Sequence, residues 1–126
     1  MDSQTLRNDL SRAIEQLEAS LSMNIDSDLL KAGCIQYFEF CFELAWKTIK
    51  RFAQDEGQNE CNSPKAALKQ AFSNGWIDDE KTWLDMLTAR NRMSHTYNAQ
   101  DALVVFNSLD SYLAALQALL EKLKAI

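Results

Sequence analysis

From Thr5 to Leu21 the apolar residues Leu6, Leu10, Ile14, Leu17 and Leu21 recur at spacings of three and four, which draws one stripe along a helix. Asn24 to Asp28 is short and polar, and Ser27 or Asp28 is placed to cap a second helix running to about Glu56, with Gly57 as its stop. The middle of that helix, Tyr37 to Trp46, is apolar on nearly every side except at Glu39 and Glu43. A helix of that kind needs more than one neighbour, so it is expected at the centre of the fold or across a subunit interface. Glu39, Glu43 and Lys47 follow one another at i, i+4 steps, and Glu43 before Lys47 is the favourable order for a solvated helix pair. An inward-facing Glu39 or Glu43 would instead meet an arginine.

Ser63-Pro64 reads as a helix entry, a hydroxyl cap followed by proline where its missing N–H does no harm, and the short helix continues through Leu68 and Phe72 to Asn74-Gly75. Asp78, Asp79 and Glu80 place negative charge at the start of a fourth helix, continued at helical spacing by Trp83, Met86, Leu87 and Arg90. Leu103, Phe106, Leu109, Leu113, Leu116, Leu120 and Leu123 mark a long closing helix after a Tyr97–Asp101 connection. The pattern predicts an all-α fold: an antiparallel four-helix up-and-down bundle with one additional short helix.

Composition supports that reading. The chain has 126 residues, 47% of them apolar, but only three Gly and one Pro, too little punctuation for a sheet protein with many turns. One domain over residues 1–126 is expected. A net charge of -5 argues against a general nucleic-acid coat, so any RNA contact must be local. Met1 to Leu10, with Asp2, Arg7 and Asp9, reads as neither a signal peptide nor an anchor, and no apolar run is expected to span a membrane. Cys34, Cys41 and Cys61 are odd in number and lack CxxC spacing, which suggests reduced thiols and a cytoplasmic protein. With no metal-ligand cluster, Gly-rich phosphate loop or paired catalytic carboxylates, neither metal nor cofactor is expected.

The candidate chemistry sits in Arg90-Asn91-Arg92-Met93-Ser94-His95 and in Tyr97, because His95 is the chain's only histidine. Imidazole titrates near neutral pH and guanidinium holds phosphate, so the string suggests phosphodiester chemistry. Residues five apart on an unbroken helix are separated by about 140°. Arg90 and His95 then converge only if the helix breaks near Met93–Ser94 or if two copies of the string meet across a dimer. Metal-independent RNA cleavage also needs one group to take the 2′-hydroxyl proton, another to protonate the leaving 5′-oxygen, and positive charge on the phosphate. One histidine supplies half of that, so a twofold dimer is attractive, with Asn91 orienting an imidazole and Arg92 steering RNA. The bland alternative is a helix-end histidine acting as a cap, arginines compensating the helix dipole, and Tyr97 as a partly buried aromatic.

Arg90-x4-His95-x-Tyr97, with polar Asn91 after the arginine, resembles the signature of HEPN domains. The segment Phe42-Glu43-Leu44-Ala45-Trp46-Lys47 resembles their nucleotidyltransferase substrate-binding branch, the HepT-like toxins. The resemblance implies a dimeric helical bundle paired with a minimal nucleotidyltransferase as toxin and antitoxin. In that picture the helical member is a metal-independent endoribonuclease, acting on RNA such as tRNA, in which Arg90 and His95 match the catalytic pair. Tyr97 matches the tyrosine to which the partner transfers AMP, which would set bulk and negative charge beside the RNA cleft. Two further readings stand beside it: a non-catalytic subunit that binds substrate or nucleotide for the nucleotidyltransferase, and a plain helical interaction module.

Overall fold

The structure, a computed structural model, describes residues 1–95 and 98–126, excepting the side chains of Ser94 and His95. Among the described residues the chain forms five helices and no strand: α1 (Ser3–Leu21), α2 (Asp28–Asp55), α3 (Pro64–Ser73), α4 (Glu80–His95) and α5 (Ala99–Lys124).

Each helix begins where a short polar side chain satisfies backbone donors that have no carbonyl partner of their own. Asp2 accepts from the Thr5 amide at 2.7 Å, so α1 starts two residues ahead of the position its apolar stripe indicates. Of the two candidate caps for α2, Ser27 serves, accepting from Leu30 N at 3.2 Å. Ser63 caps α3 ahead of Pro64, and Asp79 accepts from Thr82 N at the start of α4. Asn98 accepts from Gln100 N and Asp101 N, which moves the start of α5 back into the expected connection. Gly57 and Gly75, at φ 71° and 75°, end α2 and α3 in the left-handed conformation that glycine adopts without strain. The amides of Gln58 and Trp76 then return to the carbonyls of Ala53 and Ala71.

The helix directions follow from cross-contacts. Thr48 Oγ1 reaches back to Leu6 O, so α2 runs against α1. Arg7 donates to Leu123 O and Gln117 to Glu18, so α5 also runs against α1. Phe42 meets Trp83 with ring centroids 6.4 Å apart, while Met93, ten residues later on α4, shares a cleft wall with Asp28 and Ile35 near the start of α2, so α4 runs against α2. The expected up-and-down bundle of α1, α2, α4 and α5 is therefore present, with α3 packed on α2 and α4.

α2 is the central element and contacts all four other helices, as its apolar circumference requires. Phe38, Phe42, Cys41, Ala45 and Ile49 are fully buried, and Phe38 packs on Tyr112 of α5 at 5.1 Å between centroids. Cys34, Cys41 and Cys61 are buried free thiols, and burial pushes that of Cys41 up to about 12. One expectation needs correction: α5 is long and apolar enough, by length and composition, to cross a membrane. Scanning for an unbroken apolar run missed it because Asn107, Ser108, Asp110 and Ser111 interrupt the run without removing its overall apolar character. Here Val105, Leu109, Leu116 and Leu123 of α5 belong to the core.

Candidate functional site

Arg90 lies on α4 at the point where that helix crosses the outer flank of α2. Its Nη2 meets Glu43 Oε1 at 2.5 Å, with the two side chains 30% and 32% exposed. The other Glu43 oxygen, Oε2, accepts from Trp46 Nε1 at 3.1 Å. Glu43 and Trp46 stand three residues apart on α2 and so share a face. The indole thus fixes the carboxylate and the carboxylate fixes the guanidinium, a charge-assisted contact in a half-buried place. The two segments that carried the family resemblance, far apart in sequence, meet in this ion pair.

Of the two readings open for the glutamate ladder, the second is realised. Glu43 meets an arginine, and Lys47 is exposed beyond it. Glu39, one turn earlier, is half-buried, and desolvation raises its proton affinity, opposed by the charge of Arg90 and assisted by that of Glu43. Gln36, Glu39, Phe40, Glu43 and Arg90 together line a small open cavity of about 220 Å³. Two exposed aromatics stand on this flank of α2: Phe40, which is 50% exposed, and Tyr37.

Asn91 acts on the guanidinium in this structure, its Oδ1 accepting from Arg90 Nη1 at 3.3 Å. Arg92 is exposed and outside that cavity; its charge is felt instead by Tyr112 of α5, whose phenol burial pushes up and Arg92 draws back. Of the two ways in which Arg90 and His95 could converge, the helix break near Met93–Ser94 is absent, since α4 continues through His95. His95 therefore closes the same helix that carries Arg90, while the role assigned to Tyr97 lies outside the described residues. Sequence reasoning gave Gln36, Phe40 and Trp46 no role at the site. The Glu43-x-x-Trp46 spacing was the available signal, because an indole N–H three residues from a carboxylate is within bonding reach on a helix. No group of three or more candidate metal ligands occurs among the described residues.

Comparison with known proteins adds three findings. Residues 6–125 match the family model described as nucleotidyltransferase substrate binding protein like. A Haemophilus influenzae protein named "Probable ribonuclease HepT" is 36% identical over 105 residues, 80% of this chain and 72% of that protein. A crystal structure from Thermus thermophilus superposes with a TM-score of 0.83 at 27% identity, covering 90% of this chain and 98% of the other. A Haemophilus influenzae structure, reported to reveal the fold of a substrate binding domain of a nucleotidyltransferase, gives a TM-score of 0.81 at 32% identity, covering 94% and 98%.

Proposed function

Because this chain belongs to the nucleotidyltransferase substrate binding protein like family, within the HepT-like HEPN proteins, we propose that it is a metal-independent endoribonuclease toxin restrained by a cognate nucleotidyltransferase. The observation that carries the reading is the Trp46–Glu43–Arg90 relay, which holds one guanidinium ready at the edge of an open cavity. A guanidinium so held loses little freedom on meeting a phosphate and can stabilise the charge that builds on phosphorus.

In the proposed reaction the RNA 2′-oxygen attacks the adjoining phosphorus as its proton passes to one imidazole. The P–O5′ bond breaks as a second imidazole protonates the leaving oxygen. With one histidine per chain, His95 of two copies in a homodimer would supply both groups, and the exposed Tyr37 and Phe40 of α2, the latter in the cavity of Arg90, give that dimer an apolar surface to bury. Transfer of AMP to Tyr97 by the partner is the proposed restraint, tRNA the proposed substrate, and the cytoplasm the proposed location.

Incubating the purified chain with tRNA and a chelator tests the nuclease. Cleavage is expected, and His95→Ala and Arg90→Ala should each lower it by about a hundredfold or more. Intact RNA with tight nucleotide binding would sink this reading in favour of a non-catalytic binding subunit, which the description of the Haemophilus fold favours. Mass spectrometry of Tyr97 after co-expression with the partner tests the restraint: an added AMP supports it, and an unmodified tyrosine in a neutralised complex overturns it.

A further inference from the structure

Beside the Arg90 cavity lies a larger one, and among the described residues a single side chain, that of Glu39, borders both. This second cleft, of about 420 Å³, is walled by Asp28, Lys31, Ile35 and Glu39 of α2, Met93 of α4 and Leu103 of α5. Its volume falls within the roughly 300–1,000 Å³ of small-molecule sites. At about 100° per residue, Asp28, Ala32, Ile35, Gln36, Glu39 and Glu43 form one stripe of α2, so a continuous helix face floors both cavities. Arg90 and Met93 are three residues apart on α4, about 4.5 Å of helix rise. That is the scale of a ribose, which separates a nucleotide's phosphate from its base.

The chemistry of the two cavities differs in the same sense. The first holds the arginine; the second has apolar walls at Ile35, Met93 and Leu103 and two carboxylates, Asp28 and Glu39. Among the described residues its one cation is Lys31, with Nζ 5.5 Å from the centroid of the Phe106 ring, which draws the charge toward that face. Such a cleft repels a second phosphate. It suits a flat ring that offers N–H donors. We propose that it is the base subsite of the Arg90 phosphate site and that it prefers guanine. The base packs between Ile35, Met93 and Leu103, and its N1–H and 2-amino group donate side by side to the two oxygens of Glu39. Adenine and cytosine offer a single exocyclic amine, and uracil offers one N3–H flanked by two carbonyl oxygens that a carboxylate repels. The inference rests on Arg90 as the phosphate holder proposed above, and it can be tested without any cleavage.

The intact chain is titrated with the 3′-monophosphates of guanosine, inosine and uridine and with inorganic phosphate, followed by calorimetry. Guanosine monophosphate should bind at least about tenfold more tightly than the other two nucleotides, inosine lacking only the 2-amino group. Glu39→Gln should remove that preference. Leu103→Asn, an uncharged change at an exposed position on the far wall, should weaken guanosine monophosphate while leaving inorganic phosphate unchanged. Equal binding of the three nucleotides, or a preference that survives Glu39→Gln, overturns the subsite. A guanine preference in a protein that cuts no RNA upholds the subsite and sinks the nuclease. RNA cleavage without a base preference does the reverse.

Discussion

Glu43 divides its two oxygens between an indole and a guanidinium, while Glu39, one turn away, borders the same arginine with a carboxyl that burial makes reluctant to ionise. The two glutamates therefore answer substitution differently. Glu43→Gln removes the charge that orients Arg90, and misplacing a phosphate clamp costs up to about a hundredfold in rate. Because the pair is about one-third exposed, its loss should cost less than about 1 kcal/mol of stability. A single-turnover cleavage assay beside a thermal melt checks both, and a large melting shift with unchanged cleavage would show a purely structural pair.

For Glu39 the proton affinity is higher in the fold than its ordinary value, so the fold is favoured by protonation and that contribution is lost as pH rises through the raised pKa. Glu39→Gln should therefore melt at a higher temperature than the natural chain near neutral pH, with the gap closing on acidification below the ordinary glutamate range. A gap that widens in acid would reverse the sign. The sequence left both glutamates open between solvent and an arginine, because periodicity places them on α2 but carries no information about what α4 brings opposite.

At the scale of elements, caps decided the boundaries that apolar periodicity could only approximate. Asn98 starts α5 three residues ahead of Asp101 by accepting from two amides. Asn98→Ala should cost about 1 kcal/mol, read by denaturant unfolding, and loss of the cap frees the α5 end nearest the site. In the middle of α2, Phe42 is fully buried against Phe38 and Trp83. Phe42→Ala should cost about 3–5 kcal/mol, and an effect under about 1 kcal/mol would mean the core closes over the gap. The apolar stripes of α1, α2 and α5 were legible because burial repeats with the helix turn. The continuity of α4 through His95 was not, since Met93 and Ser94 neither favour nor forbid a break in the way proline does.

For the whole molecule, the aromatic surplus of α2 is the deciding feature. Phe38 and Phe42 are consumed by the bundle, whereas Tyr37 and Phe40 remain on the surface, Phe40 in the cavity of Arg90. If a second copy covers them, Tyr37→Asp together with Phe40→Asp should give a monomer by sedimentation and abolish RNA cleavage. A monomer that cuts at the natural rate would overturn the two-histidine mechanism. On the proposed nuclease reading, a chain of net charge -5 would meet RNA only through local positive charge at Arg90, the remaining surface contributing little attraction.

The linear sequence was sufficient for the helix count, the buried stripes and the caps of α2 and α3, because each rests on residue type and on contacts within a turn or two; it also singled out the Arg90–His95 string by residue type alone. The partners of that string were settled only by tertiary structure. Trp46, Glu43 and Arg90 come together because α4 packs antiparallel across α2, and Glu39 borders two cavities because α4 and α5 converge on one stripe of α2. Contacts between residues more than about forty positions apart depend on how helices cross, and periodicity within each helix does not encode that crossing.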